Sequence, residues 1–354
     1  MKRLLIINRA QFGYHIDTFK YCKFLNDRFH ITYLCFDYGL PKIYNDNIDI
    51  IYISRHGNIV FRWMRLIISI FYMKRKNFDI LFFVYFVGVS FSRFFYPNNS
   101  LILDIRTGSV SSNMLLNSIK NFLIKIECLF FQNISIVSKN LAKSIGLKNF
   151  YELPLGGEVF SFNPKDFSNI KLLYVGTLEN RNIIECVKGF HQFISKNPEC
   201  DINFTIIGDG PNNERSELIK FIDDNAINKY VHVLGYIPNE KLHKYFQISN
   251  VGISFIPTTK YYQNQPPTKT FEYLLSGLPV IATKTKENLR WLKEEHGFFI
   301  EDNADSFKLA LDQLYNDLDR FNGIDIRNEY LNCTWKNIVN IQLIPLLEKL
   351  LKNK

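Results

Sequence analysis

The sequence lacks several features that would place it early. No two of its six cysteines (Cys22, Cys35, Cys128, Cys186, Cys200 and Cys333) stand at CxxC spacing, and no histidine cluster accompanies them. That argues against a zinc site or a disulfide frame, and for buried, reduced thiols in a cytosolic protein. No apolar run approaches the length of a membrane span. The opening Met1-Lys2-Arg3-Leu4-Leu5-Ile6-Ile7-Asn8 has basic residues and then only a short apolar run, which reads as a first β-strand and not as a signal peptide. Low-complexity tracts are missing, and 47% hydrophobic against 22% charged residues excludes a disordered chain. Acidic residues are scarce in the first half. Residues 1–160 hold 20 Lys and Arg against 10 Asp and Glu, while the remainder holds 23 against 24. The basic excess is therefore N-terminal, and it favours an anionic partner, either nucleic acid or an acidic membrane surface.

With 354 residues the chain is long enough for two α/β domains. Two segments open alike. Arg3-Leu4-Leu5-Ile6-Ile7-Asn8 leads to Gly13, and Lys171-Leu172-Leu173-Tyr174-Val175 leads to Gly176. Each is a short apolar run, then a glycine loop, then a helical pattern, as at a parallel strand whose loop approaches a ligand. Further strands are expected at 31–36, 48–53, 80–85, 101–104 and 134–137 in the first half, and at 204–208, 231–234, 251–256 and 280–283 in the second. Two doubly wound parallel sheets follow. The turn formers of Leu153-Pro154-Leu155-Gly156-Gly157 mark the seam. The expected division is an N-terminal domain over 1–155, a second over 156–334, and a helix over 335–354 that crosses back to the first. In that helix Ile338, Ile341 or Gln342, Leu346 and Leu350 fall on one face, and Pro345 is placed to kink it.

The stretch from Gln265 to Thr283 carries the most chemistry. Pro266 and Pro267 lead into a helix of about two turns, Gly277 caps it, and Pro279 opens the next strand. Thr268 and Lys269 lie at the start of the helix, and Lys269 and Glu272 share one face. A helix N-terminus with a lysine suits a phosphate, and a carboxylate beside it can accept hydrogen bonds from both hydroxyls of a ribose. By themselves the two residues better suit a capped surface helix with an i,i+3 ion pair, the commoner use of such a pair. Their setting adds weight to the phosphate reading. Gly176-Thr177-Leu178-Glu179-Asn180-Arg181, Ile206-Ile207-Gly208-Asp209-Gly210-Pro211 and Leu234-Gly235-Tyr236-Ile237-Pro238 all follow expected strands. Loops at the carboxyl ends of parallel strands are where open α/β sheets bind ligands.

In this order of elements the sequence resembles the retaining glycosyltransferases of family four. The resemblance is specific over Leu172–Gly297 and continues more weakly through Gly13, Leu103-Asp104-Ile105-Arg106 and Ile136-Val137-Ser138-Lys139. It implies the GT-B fold, two Rossmann-like domains facing a central cleft, with an acceptor domain first and a nucleotide-sugar donor domain second. It implies that Glu272 binds the donor ribose and that Gly176, Thr177, Arg181 and Lys269 hold the diphosphate. Gly208 belongs to the donor loops, Tyr236 and Ile237 lie where backbone groups grip the nucleobase, and Gly13 faces the diphosphate from the other domain. Asn264 stands where the family has the first Glu of its Glu-x7-Glu motif. Asp104 and Arg106 occupy the N-terminal position that serves the donor sugar or the acceptor, and His15 and Asp17 lie on the acceptor side. The catalytic set so implied is Arg181, Lys269, Asp104 and Arg106, of which Arg181 and Lys269, helped by the helix terminus, stabilise the departing diphosphate without metal or other cofactor. The donor expected is a UDP-sugar, the enzyme a hexosyl- or N-acetylhexosaminyl-type transferase, and the acceptor a glycan or lipid-linked glycan of bacterial surface polysaccharide (capsule, O-antigen or exopolysaccharide).

Between Asp49 and Asp79 every charged residue is basic: Arg55, Arg62, Arg65, Lys74, Arg75 and Lys76. Arg62, Arg65, Ser69, Tyr72 and Lys76 form a narrow polar stripe at helical spacing, with apolar residues including Trp63 around it. One reading is a helix packed on the N-terminal sheet with its basic stripe in water. The other is a helix lying among anionic headgroups, with Arg62, Trp63, Arg65, Lys74, Arg75 and Lys76 touching the membrane, and hence an enzyme peripheral on the cytoplasmic face. Two further functions fit parts of the pattern. A GT-B nucleotide-sugar epimerase would use the same donor loops but needs carboxylates in the cleft, for which Asp17 and Asp104 are the candidates. A nucleic-acid binder would suit the pI of about 9.0, yet no nucleic-acid-binding motif or aromatic-lined basic groove is present, so nucleic acid is not an expected partner.

Overall fold

The computed structural model describes residues 1–97, 100–108, 114–259 and 262–352. The chain divides into two compact units: Met1–Leu155 with Trp335–Lys354, and Gly156–Thr334.

The first unit is built on a seven-stranded sheet, all parallel. Its strands are β1 (Lys2–Ile7), β2 (Phe29–Asp37), β3 (Ile48–Ser54), β4 (Ile80–Val84), β5 (Ser100–Ile105), β6 (Asn133–Ile136) and β7 (Tyr151–Glu152), in the order β3-β2-β1-β4-β5-β6-β7. The second unit has a six-stranded parallel sheet: β8 (Ile170–Val175), β9 (Ile202–Ile207), β10 (Val231–Val233), β11 (Val251–Ser254), β12 (Val280–Thr283) and β13 (Gly297–Ile300), in the order β10-β9-β8-β11-β12-β13. Both orders reverse direction beside the first strand of the unit, between β1 and β4 and between β8 and β11. This is the Rossmann arrangement, with its switch point beside the loop that leaves the first strand. The central strands are buried on both faces. Leu4, Leu5, Ile7, Ile80, Leu81 and Phe83 in one unit, and Leu172, Leu173, Ile253, Val280 and Ile281 in the other, are inaccessible to solvent. Continuous apolar runs, without alternation, are what such strands require. The two short strands that the sequence did not announce, β7 and β13, lie at sheet edges.

The C-terminal helical segment packs on the first unit. Trp335, 2% exposed, sits edge-on to Tyr21 with ring centroids 6.3 Å apart. Arg28 pairs with Glu348 at 3.3 Å, and Lys349 Nζ donates to the Tyr151 hydroxyl at 2.8 Å. The disturbance expected at Pro345 takes the form of a π segment, Val339–Leu343, between the helical turns Trp335–Ile338 and Ile344–Lys352. Pro345 has no N–H and its ring crowds the carbonyl four residues back, so the helix widens there. The wider turn corrects the expected apolar face. Ile338, Leu346 and Leu350 are buried, but Ile341 and Gln342 face solvent and Leu343 takes the inward position.

Candidate functional site

In the second unit the helix Thr268–Leu275 follows Pro267 directly, with no side chain capping its start. Its end is a Schellman turn: Leu278 N–H donates to Tyr273 O and Gly277 N–H to Leu274 O, both at 3.0 Å, with Gly277 at φ +78°. Two hydrogen-bonded threads hold the helix in place. Ser254 Oγ, Thr270 Oγ1 and Asn288 Oδ1 form a buried chain at 2.7 and 3.0 Å, and Asn288 Nδ2 donates to Thr283 O. On the other side, the Tyr273 hydroxyl accepts from Val175 N–H at 2.8 Å, with its ring packed on Gly252. The helix is thereby tied to β8, β11 and β12, and its first turn is set beside the Gly176 loop.

Lys269 leaves that first turn toward Gly176. Its Nζ is shielded from solvent and has no hydrogen-bond partner among the described residues. It lies 4.0 Å from the centroid of the Tyr174 ring. Burial, and then the positive Arg181, push the ammonium down to about 7, with Glu272 and Cys186 pulling weakly the other way. Arg181 rests 4.3 Å over the ring of Tyr262, and its Nη1 is also buried without a hydrogen-bond partner. Two cations thus sit on aromatic faces at the carboxyl edge of the sheet, and each repels the other. Tyr174 itself donates to the Thr177 carbonyl at 2.7 Å, which fixes the turn after Gly176.

The glycine loops lie side by side along this edge. Gly176 N–H donates to Ile207 O, Gly208 N–H to Gly235 O, and Leu178 N–H to Asp209 O, at 2.9 to 3.0 Å. Gly208 has φ +156°, and a Cβ there would overlap the Gly176 carbonyl oxygen. Side chains are excluded, so the edge presents backbone, which is what close approach of a phosphate needs. Tyr236 is 75% exposed and Ile237 half-buried beyond Gly235. Asn264 ends a short helical turn, Tyr262–Asn264, and is half-buried, as are Thr268 and Glu272. Sequence reasoning gave no role in the site to Tyr174, Tyr262 or Arg215. The Arg215 guanidinium lies against Gly235, 3.9 Å from an Asp209 oxygen, with its Nε buried and unpartnered. The signal available was position: Tyr174 just before Gly176, Arg215 just after the Gly208–Gly210 loop, and Tyr262 just before Asn264.

The N-terminal candidates form a separate group within the first unit. Arg106 Nε donates to Asp17 Oδ2 at 2.6 Å, its Nη1 donates to Leu153 O at 2.7 Å, and Asp104 Oδ1 lies 3.6 Å away. Asp104 also accepts from Ser135 Oγ at 2.7 Å. Burial raises the Asp104 carboxyl to about 6 against the pull of Arg106, and the two carboxylates hold the guanidinium firmly charged. Asp104 is fully buried and Arg106 nearly so. His15 caps the helix Ile16–Leu25, accepting from Thr18 N–H, and burial lowers its pKa, which keeps it a neutral acceptor. Gly13, with positive φ, lies in the loop after β1 against Ile43.

The basic helix has a different outer face from the expected stripe. Over Ile59–Met73, Leu66, Ile67 and Ile70 are buried, while Phe61, Met64, Ile68 and Phe71 are exposed. Arg62 and Arg65 turn back onto carbonyls of the preceding loop: Arg62 Nε donates to Gly57 O, and Arg65 Nη1 to Ser54 O and His56 O. Trp63 is half-buried, with its N–H on Val87 O at 2.9 Å. Lys74, Arg75 and Lys76 are exposed. No helix among the described residues is long and apolar enough to cross a membrane. Elsewhere Glu295, His296 and Glu329 converge, but Lys293 already pairs with both glutamates, which neutralises much of the charge a cation would need.

Comparison with known proteins agrees with this architecture. Residues 169–317 match the family described as glycosyl transferases group 1. A 113-residue segment is 30% identical to alpha-monoglucosyldiacylglycerol synthase of Acholeplasma laidlawii, covering 32% of this chain and 26% of the relative, so the chain spans about a quarter of that protein's length. Among solved structures, sucrose-phosphate synthase from Thermosynechococcus elongatus superposes with a TM-score of 0.77 at 15% identity over 100% of both chains. Anabaena HepE, solved with UDP and glucose, gives 0.73 at 11% identity over 100% of this chain and 99% of its own. The chain therefore has the GT-B fold, and its residues 169–317 form a domain of the glycosyl transferases group 1 type.

Proposed function

We propose that the protein transfers a sugar, with retention, from a UDP-sugar to a lipid-linked or glycan acceptor at an anionic membrane surface, in the assembly of bacterial surface polysaccharide. The observation that carries the proposal is the pair Lys269 and Arg181. Two positive groups held on aromatic rings, one of them without a hydrogen-bond partner, are complete only when an anion arrives. The uncapped start of the 268–275 helix and the glycine edge add N–H donors of the kind a diphosphate takes. Glu272, one turn further along, supplies a carboxylate for the ribose. In the reaction the bond between the sugar C1 and the diphosphate oxygen breaks and the electron pair goes to the diphosphate. Lys269, Arg181 and the helix start stabilise that developing charge, so protein cations take the part a metal plays elsewhere. The acceptor hydroxyl bonds to C1 from the same side, and its proton passes to the departing diphosphate. A relative named for a glucosylated diacylglycerol supports a lipid-borne acceptor.

The test is thermal stabilisation by UDP, GDP, ADP, CDP and their sugars, followed by product analysis. Selective stabilisation by one nucleotide, lost in Glu272→Ala, supports the donor site. Free nucleoside diphosphate with a new glycoside identifies a transferase, whereas an isomerised nucleotide sugar identifies an epimerase.

A further inference from the structure

The first unit has an opening of its own at the carboxyl ends of its strands. A pocket of about 540 Å³ lies there, within the volume range of small-molecule sites. Arg9, Tyr38, Arg55 and Val87 reach it from the chain just beyond β1, β2, β3 and β4, and the first two turns of the 59–73 helix form its wall. It adjoins the β1–β4 switch point, the position at which such sheets take ligands.

Its chemistry is one-sided. Three guanidinium groups line it (Arg9, Arg55 and Arg62) and no carboxylate does. Arg55 lies 3.7 Å over the Tyr38 ring and Arg62 donates to Gly57 O, but neither contact neutralises a charge. Asp37, close by in sequence, is engaged by Lys42 and by Gly39 N–H. No carboxylate among the described residues pairs with any of the three arginines. The rest of the wall is hydrocarbon, with Ile59, Val60, Leu66 and Phe86 prominent. Such a lining offers little to the hydroxyls of a sugar. It suits an anion that brings an apolar chain with it.

The surface around the pocket points to the source of that ligand. The exposed Phe61, Met64, Ile68 and Phe71 continue into Val87, Phe91 and Phe94, with Trp63 edge-on to Phe91 at 5.4 Å. The next neighbour is the helix Met114–Cys128, whose Glu127 accepts from Gly88 N–H and Ser90 N–H. That helix also turns an apolar stripe outward: Leu115, Ile119, Phe122 and Ile126 are exposed. Lys74, Arg75, Lys76, Lys120 and Lys125 are exposed among these residues, and the one carboxylate on the three elements, Glu127, is buried. Apolar stripes bordered by cations alone match the charge and depth of an anionic leaflet.

We propose that this pocket holds an anionic membrane lipid, its phosphate among Arg9, Arg55 and Arg62 and its chain along the apolar wall, drawn from a bilayer on which the surrounding face rests. That the lipid is the acceptor rests on the transferase reading; its binding does not. The test titrates the full-length protein with dodecyl phosphate, with inorganic phosphate and dodecyl maltoside as comparisons and without any sugar donor. Saturable one-site binding is expected for dodecyl phosphate alone, weakened about tenfold or more in Arg9→Gln/Arg55→Gln. Stabilisation by UDP, which reads the other unit, should be unchanged in that variant and so reports intact folding. The pocket assignment is overturned by absent saturation, by equal affinity in the variant, or by comparable binding of either comparison compound. Co-sedimentation then addresses the source. Phosphatidylcholine vesicles containing phosphatidylglycerol should carry the protein down, and Lys74→Gln/Arg75→Gln/Lys76→Gln should reduce this while leaving dodecyl phosphate binding intact. Binding of dodecyl phosphate with no vesicle association overturns the membrane source. Failure of UDP to stabilise the wild type would sink the donor reading and leave the lipid result standing.

Discussion

Lys269 Nζ lies 4.0 Å from the centre of the Tyr174 ring, out of reach of solvent. A cation–π contact contributes about 0.5–2 kcal/mol, whereas removing an ammonium from water costs several kcal/mol. The protein's own groups under-compensate this charge, and burial with the neighbouring Arg181 brings its pKa down to about 7. Ligand binding and stability are consequently opposed at this residue.

Lys269→Met should make the protein more stable while weakening UDP binding about 10- to 100-fold. The stability gain has a defined pH window. Unfolded, the lysine titrates near the usual value of about 10.4, and folded near 7. Below pH 7 both states carry the proton and the folded protein bears the whole cost of the buried cation. Above 7 the unfolded chain binds more protons, so wild-type stability from this group rises with pH. The gain in melting temperature of the variant should therefore be largest below pH 7 and shrink toward pH 10. A gain independent of pH would contradict the buried-cation account.

Binding of a nucleoside diphosphate should draw a proton onto Lys269 above pH 7, because the anion favours the charged form. Affinity is expected to fall as pH rises through 7. Calorimetry at pH 8 in two buffers of different ionisation enthalpy should show proton uptake for the wild type and none for Lys269→Met.

Gly208→Ala should cost about 1–3 kcal/mol, since the new methyl group meets the Gly176 carbonyl. Denaturant unfolding measures this directly. Surviving protein should also bind UDP less well, because the two loops must part. Wild-type stability would mean that the loops are not held at this separation.

Arg106→Met leaves Asp17 and Asp104 in a buried setting without their cation, and breaking such a network typically costs about 3–5 kcal/mol. Chemical denaturation is expected to show a loss of that size. If the variant keeps full stability but loses turnover, Arg106 acts on the reaction and not on the fold of the first unit.

Much of the architecture was legible before folding, and for one reason: strands buried on both faces need unbroken apolar runs, and runs such as 4–7, 80–83, 172–175 and 280–282 are local facts. The same holds for the turn chemistry of Pro267, Gly277 and Pro279 around the Lys269 helix. Strand β7 escaped because a two-residue edge strand carries no such run, whereas β13 was passed over although Phe298, Phe299 and Ile300 form a short one after Gly297. In the last helix the expected inward face holds at Ile338, Leu346 and Leu350 but fails at Ile341 or Gln342, since a π turn adds a residue that no periodic count foresees.

What the sequence determined by itself is the set of local patterns: apolar runs, glycine loops after strands, and a basic segment with an amphipathic period. The tertiary structure alone decided which groups meet. A helix with apolar residues on two sides does not declare which side will lie on the sheet, and here Leu66 and Ile70 went inward while Phe61, Met64 and Ile68 stayed out. Nor could spacing reveal that Lys269 would rest on Tyr174 and Arg181 on Tyr262. Those pairs join residues from different elements, and the distance between those elements is fixed by the sheet that orders them.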